Sequence, residues 1–310
     1  MPYPYHWDHA ALMAQGKIYA VGGYIGSEGR AMDQIRAFDP ETSEWTDLSP
    51  LPASRHHVMA SVYPSPANDA FVIVGGIDGE LGDHATASAW LYNITSDSIS
   101  ELPNMPRTRA AGAAVTYDGL IYVIGGMQDD GVRPNLSAEV PIPSMMVFDP
   151  STNEWGERDG PPVHLEHIAA AVFDEGIWVV AGRWGWGEGH LEKGEVYIYD
   201  RKTMSWHEGP RLNQPRAAHG VVVIDNKYLV TVGGEYDGTP LTSVEFLASS
   251  SLCERRESEY QKVRAVLNAP VGVLSLLDRI AQADCDDVRG SDRRWIRGED
   301  LPIAAKATGG

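Results

Sequence analysis

The sequence predicts an all-β fold of four-stranded antiparallel sheets repeated about a common axis. Three observations predict it. First, an apolar strand ending in a small-residue pair recurs as Ile18-Tyr-Ala-Val-Gly-Gly23, Phe71-Val-Ile-Val-Gly-Gly76, Ile121-Tyr-Val-Ile-Gly-Gly126, Tyr228-Leu-Val-Thr-Val-Gly-Gly234 and the degenerate Ile177-Trp-Val-Val-Ala-Gly182. Second, the first small residues of the pairs, Gly22, Gly75, Gly125, Ala181 and Gly233, return at a period of about 50 residues, the signature of a radial β-repeat. Third, 32 glycines and 20 prolines supply the tight turns that many short strands require.

Residues 109–155 give the clearest unit. Ala110 to Tyr117 is a first strand of small and apolar residues, and Asp118-Gly119 is a two-residue hairpin turn. Leu120 to Ile124 is a continuous apolar run, as a strand buried on both faces requires. Gly125 and Gly126 end it, where the missing Cβ permits close backbone approach. After a variable loop, Ser144 to Phe148 is a third strand, Asp149-Pro150 begins a turn, and Trp155 opens a fourth strand. One such sheet cannot cover its own apolar faces, so the copies must stack.

This pattern resembles the kelch repeat: a double glycine, an aromatic-Asp-Pro turn, then Trp. The matching residues are Phe38-Asp39-Pro40 with Trp45, Phe148-Asp149-Pro150 with Trp155, and Tyr199-Asp200 with Trp206. The second copy departs from it, with Tyr92-Asn93 at the turn and Ile99 in place of Trp. The resemblance covers roughly residues 7–248 and implies a kelch β-propeller of five four-stranded blades, or a truncated six.

Residues 1–248 carry the blades. Residues 249–290 are a helical, polar insertion or tail, in which Val263, Val266, Leu267 and Val271, then Leu274, Leu277 and Ile280, recur at helical spacing around Pro270 and Gly272. In residues 291–310, Trp295-Ile-Arg-Gly-Glu-Asp-Leu-Pro302 reads as a last propeller strand before a disordered C-terminus. Two explanations stand for 249–290: a native insertion in blade five, or foreign sequence in a truncated relative.

The formal net charge is −18, a field that repels phosphate backbones and excludes nucleic-acid binding through a basic surface. Both cysteines, Cys253 and Cys285, lie outside the repeats, so no disulfide framework is expected. No basic-then-apolar leader and no apolar run of membrane-spanning length is present, so the expected setting is intracellular and cytoplasmic, away from membranes.

Three groups of residues are candidates for a site. His57, His167 and His219 fall in register at the start of the first strands, with His9 one residue short and Ala111 the exception. They are weak candidates for a divalent metal, and no metal or cofactor is expected. Arg55, Arg109 and Arg216 follow proline turns before those strands, where a guanidinium fork could clamp a carboxylate or tie blades together. The loop Arg183-Trp-Gly-Trp-Gly-Glu-Gly-His-Leu-Glu-Lys193 offers Arg183, Trp184, Trp186, Glu188 and His190 as contact and acid–base groups. A second long loop, Met127 to Pro143, contains Asp129, Asp130 and Arg133.

The reading that follows is a protein-interaction or ligand-binding scaffold working through loops at one end of the disk, with another protein or a small molecule as partner. The alternative is an isomerase, epimerase or lyase-like enzyme with its site at the mouth of the central channel. Kelch-like propellers include a sialic acid epimerase, plant specifier proteins and copper-radical galactose oxidases. The last is excluded because neither cysteine lies in a repeat, and the Glu-x-x-x-Asp-x-x-x-His iron motif of the specifiers is missing.

Overall fold

A computed structural model describes residues 7–25, 28–78, 84–128, 144–184, 191–249 and 294–297. The chain divides into two compact units, Met1–Ala170 with Arg183–Leu191, and Ala171–Gly182 with Glu192–Gly310. All regular structure among the described residues is strand, and none of it is a helix long and apolar enough to cross a membrane.

The first blade joins β1 (Ala10–Ala14), β2 (Lys17–Val21), β5 (Ile35–Asp39) and β6 (Glu44–Asp47), with a small hairpin, β3 (Tyr24–Ile25) and β4 (Arg30–Ala31), beyond the glycine pair. The second joins β7 (Met59–Val62), β8 (Ala70–Val74), β11 (Ala89–Asn93) and β12 (Ser98–Leu102), with hairpin β9 (Ile77–Asp78) and β10 (His84–Ala85). The third is β13 (Ala113–Tyr117), β14 (Leu120–Ile124), β15 (Ser144–Asp149) and β16 (Glu154–Asp159). The fourth is β17 (Ala169–Phe173), β18 (Gly176–Trp184), β19 (Leu191–Asp200) and β20 (Ser205–Glu208). In the fifth, β21 (Gly220–Ile224), β22 (Tyr228–Val232) and β25 (Val244–Ala248) join β26 (Ile296–Arg297), and β23 (Glu235–Tyr236) and β24 (Thr239–Pro240) form its small hairpin. Each blade is thus a four-stranded antiparallel sheet, and the fold class is a five-bladed β-propeller.

The repeat residues build each blade by specific contacts. Asp39, Asp149 and Asp200 each accept a hydrogen bond at Oδ1 from the backbone N–H two residues on, closing the turn between third and fourth strands. The aromatic before each Asp then meets the tryptophan opposite: Phe38–Trp45, Phe148–Trp155 and Tyr199–Trp206 have ring centroids 5.1, 5.0 and 5.2 Å apart. The Trp155 indole donates to Pro103 O at 2.7 Å, and Trp295 donates to Pro210 O at 2.8 Å. Trp295 therefore fills the tryptophan position of the fifth blade, and Ile296 and Arg297 pair with Phe246 and Glu245 of β25. The helical pattern expected over 249–290 falls on residues 250–293, outside the described residues.

The first glycine of the pair is required where the next stretch of chain crosses it. At Gly75, φ is +63°, and an added Cβ would stand 2.1 Å from Arg109 O. Stacking of sheets then buries the apolar strands. In the first unit one core gathers Tyr19, Val21, Ile35, Phe71, Ile73 and Tyr92, and a second gathers Val72, Val74, Ile121, Val123 and Phe148. In the second unit Trp178, Val180, Leu229, Leu247 and Trp295 pack together. The opposite face of β21 and β22 leaves Val222, Ile224 and Val232 exposed.

Candidate functional site

In the first unit the innermost strands are laced together before they begin. Asp8, His57, Ala111 and His167 all have φ between +50° and +54°. His57 N donates to Asp8 O at 2.7 Å, Ala111 N to His57 O at 2.9 Å, and His167 N to Ala111 O at 2.7 Å. Each of these residues follows one that bridges to the far side of its own glycine pair: Trp7 to Tyr24, His56 to Ile77, Ala110 to Met127, Glu166 to Arg183.

This pairing corrects the sequence register. In the fifth blade the bridge is Ala217 to Glu235, so Ala218, at φ +50°, and not His219, is the equivalent of His57 and His167. In the first blade the equivalent is Asp8 and not His9. His219 is displaced because the fifth blade turns through three residues, Asp225 to Lys227, where the first, third and fourth turn through two. His219 is enclosed in the second unit, where burial first and Arg216 second push its imidazole down to about 3.

The structure brings His57 and His167 together, and Ala111 explains how. With only a methyl between them in the lacing, the two rings meet edge to face at 4.7 Å, with Nε2 atoms 2.8 Å apart. The other ends of both rings are also held. His57 Nδ1 lies 2.6 Å from His56 Nδ1, and His167 Nδ1 hydrogen-bonds to Glu166 Oε2. Arg183 donates from Nε to Glu166 Oε1 at 2.6 Å, and from Nη2 to His167 Nε2 at 3.4 Å. Asp8 Oδ1 stands 3.6 Å from His57 Nε2.

Proton positions in this row follow from one end. The Glu166 carboxylate accepts, so His167 carries its proton on Nδ1 and accepts at Nε2. His57 then donates from Nε2 and accepts at Nδ1, and His56 donates to it. Burial, followed by the neighbouring His167, His56 and Arg183, holds the His57 imidazole well below the ordinary histidine range, which keeps it neutral. Sequence reasoning had His57 and His167 but missed Asp8, His56 and Glu166. The available signal was their position beside the repeated histidine, as His56-His57 and Glu166-His167.

Arg55, Arg109 and Arg216 are all buried, and none presents its guanidinium to solvent. Arg55 pairs with Asp78 at 2.8 Å and lies over the Trp90 ring at 5.2 Å. Arg216 donates to Gly233 O, Ser243 and Glu245. Met146 occupies in β15 the register place that Trp90 has in β11 and Glu245 in β25. The Arg109 guanidinium accordingly has no hydrogen-bond partner among the described residues, and burial and Arg107 lower it to about 10.

The tryptophan-containing segment, expected as a loop from Arg183 to Lys193, is strand at both ends. β18 runs through Ala181 and Gly182 to Trp184, and β19 resumes at Leu191. Trp184 is 45% and Leu191 52% exposed. Trp186, Glu188 and His190, like Asp129, Asp130 and Arg133, lie outside the described residues.

Stacked four-stranded sheets, with a glycine pair at the end of most second strands and a tryptophan on most fourth strands, define a repeat β-propeller. The chain belongs to the kelch-repeat family: residues 8–234 match the KLHDC2/KLHL20/DRC7 Kelch-repeats domain. It is 25% identical to Kelch-like protein 35 of Mus musculus over 70% of this chain and 34% of that protein. It is 24% identical to Kelch-like protein terF of Aspergillus terreus over 76% of this chain and 51% of that protein. Alpha-scruin of Limulus polyphemus is 26% identical over 75% of this chain and 25% of its own length. The chain thus spans between a quarter and about half of these relatives. A solved structure described as "Structure of YjhT" superposes with a TM-score of 0.67 at 16% identity, covering 81% of this chain and 83% of that one, which shows the shared fold.

Proposed function

We propose that this propeller is a protein-interaction module whose partner docks on the strand ends of the fourth blade. One observation carries the reading. β18 and β19 are 9 and 10 residues long, where the second and third strands of the other blades are 5 or 6. Their overhang presents Trp184 and Leu191 to solvent. Large exposed apolar side chains flanked by charge are what a protein contact uses as anchors. The Kelch-like relatives are consistent with a protein-binding role.

The test is affinity capture of a partner followed by single substitutions. Trp184→Ala is expected to weaken binding at least tenfold and to leave the melting temperature within a few degrees of the parent. Met204, 66% exposed beyond the far end of β19, is the control, and Met204→Ala is expected to change neither. Binding that survives Trp184→Ala, or a Trp184→Ala protein that no longer folds, would remove the reading. A second reading, an isomerase-like or lyase-like enzyme, is favoured by the acid–base row Glu166–His167–His57–His56.

A further inference from the structure

We propose that Asp8, His56 and His57 form a binding site for a first-row divalent cation of the zinc class. One ligand atom from each lies within 4.8 Å of the other two. Two imidazole nitrogens and one carboxylate oxygen are a donor set that such cations take, with further positions left for water. This inference is independent of the interaction reading, since it concerns the inner lacing and not the ends of β18 and β19.

The geometry needs an adjustment in which Asp8 takes part: its Oδ1 stands 3.6 Å from His57 Nε2, the atom that donates to His167, so the carboxylate turns toward Nδ1 to complete the set. Around a tetrahedral zinc with bonds of about 2.0–2.1 Å, donor atoms stand roughly 3.3 Å apart. The Nδ1 atoms of His56 and His57 are 2.6 Å apart, the spacing of two nitrogens with one proton between them. A cation replaces that proton when His56 shifts it from Nδ1 to Nε2 and the two rings swing apart by under about 1 Å. No net change in His56 protonation is required.

The second observation is the support behind His57. Metal-ligating histidines characteristically give their other ring N–H to an acceptor that fixes tautomer and orientation. Here His57 Nε2 is held by His167 Nε2, His167 Nδ1 by Glu166, and Glu166 by Arg183. That order of donors puts the His57 lone pair on Nδ1, facing His56. Arg183 adds a positive charge to the row, and Glu166 offsets it. The hydrogen bond from His57 N to Asp8 O, with both residues at positive φ, fixes the two ligands' backbones relative to each other.

Access and field also suit a cation. The His57 side chain is 8% exposed and the Asp8 side chain 28% exposed, so the carboxylate is the route from solvent to a desolvated pair of imidazoles. A net charge of −18 concentrates cations near the surface.

The experiment is calorimetric titration of Zn(II) into the untagged, chelator-treated full chain at pH 7.5, with Co(II) absorption as a second readout. The proposal expects one Zn(II) per chain with Kd below about 10 µM and visible Co(II) bands of low coordination number. Asp8→Asn and His56→Ala should each weaken Zn(II) at least tenfold, and Glu166→Gln, which acts one residue further out through His167, should weaken it by less. His219→Ala should leave affinity unchanged. Asp8→Asn, at the solvent side, keeps the test valid should His56→Ala unfold. Absence of binding at 100-fold over that Kd, or equal affinity in the parent and Asp8→Asn, would overturn the proposal.

Discussion

Ala181 takes the left-handed conformation that glycine takes in the other four copies, at φ +52°. That costs an L-residue about 1–2 kcal/mol. Its methyl is fully buried beside Trp178 and Val180, which returns about 0.8 kcal/mol, and glycine would lose a further 0.5–1 kcal/mol of backbone entropy on folding. These terms nearly cancel, so Ala181→Gly is expected to stay within about 1 kcal/mol of the parent in urea unfolding. Gly75→Ala faces both the same strain and a carbonyl 2.1 Å from the new Cβ, and is expected to cost more than about 2 kcal/mol. Equal costs at the two positions would show that backbone approach does not select the glycine.

Neutral histidines whose ring nitrogens are shut off from water make stability depend on pH with a definite sign. His219 is pushed to about 3 by burial and Arg216, and His164 is lowered by burial despite its bond to Gly126 O. In the unfolded chain both titrate near 6.5. Below that pH the unfolded state binds protons the folded state refuses, so their contribution is fully present above 6.5 and is lost as pH falls toward 3. Each fully neutral buried histidine adds a slope of about 1.4 kcal/mol per pH unit in that window. Urea midpoints measured from pH 7.5 to 4.5 should fall, and His219→Gln should flatten the fall by roughly that slope. A midpoint that is level over this range would contradict the neutral, enclosed ring.

At the scale of elements, strands were legible and their continuation was not. The apolar runs before Gly22, Gly75 and Gly125 became second strands largely buried on both faces, which need no alternation, whereas the run before Gly233 alternates and leaves Val232 exposed. The Asp turns and tryptophans were equally plain, down to Trp295 after its long separation from β25. The histidine register was not, because it depends on turn lengths that differ between copies; the lacing through Ala111 shows it directly. The extension of β18 through Ala181-Gly182 was hidden as well, since a small-residue pair ending an apolar run reads as a strand end.

The fifth blade separates buried from exposed strand residues within one sheet. Leu229 on β22 is fully buried, whereas Val222 on β21 is 52% exposed. Leu229→Ala is expected to cost about 2–5 kcal/mol and Val222→Ala less than about 0.5 kcal/mol. Chemical denaturation of the two variants measures the difference. Similar losses would mean that the outer face of β21 is covered in solution.

For the whole molecule, the kelch family fixes architecture and leaves chemistry to the places where the repeat departs from itself. The double glycines serve backbone crossings, and two of the three arginines at the proline turns, Arg55 and Arg216, are spent inside the blades, on Asp78 and Trp90 or on Glu245. What the repeat does not dictate is the row Glu166–His167–His57–His56 with Asp8, and the overhang ending in Trp184 and Leu191. The first was half legible, from two histidines at related positions. The second was legible as composition but not as geometry. The chain spans 34% and 51% of two of its relatives, and the proposed docking surface lies on the blades it contains.

The most direct test of that argument is hydrogen–deuterium exchange of the full chain with and without its captured partner. The interaction reading predicts protection concentrated at Arg183–Trp184 and Leu191–Lys193, with the turn around Met204 unchanged. Protection at the Met204 turn, with none at Trp184 and Leu191, would contradict it.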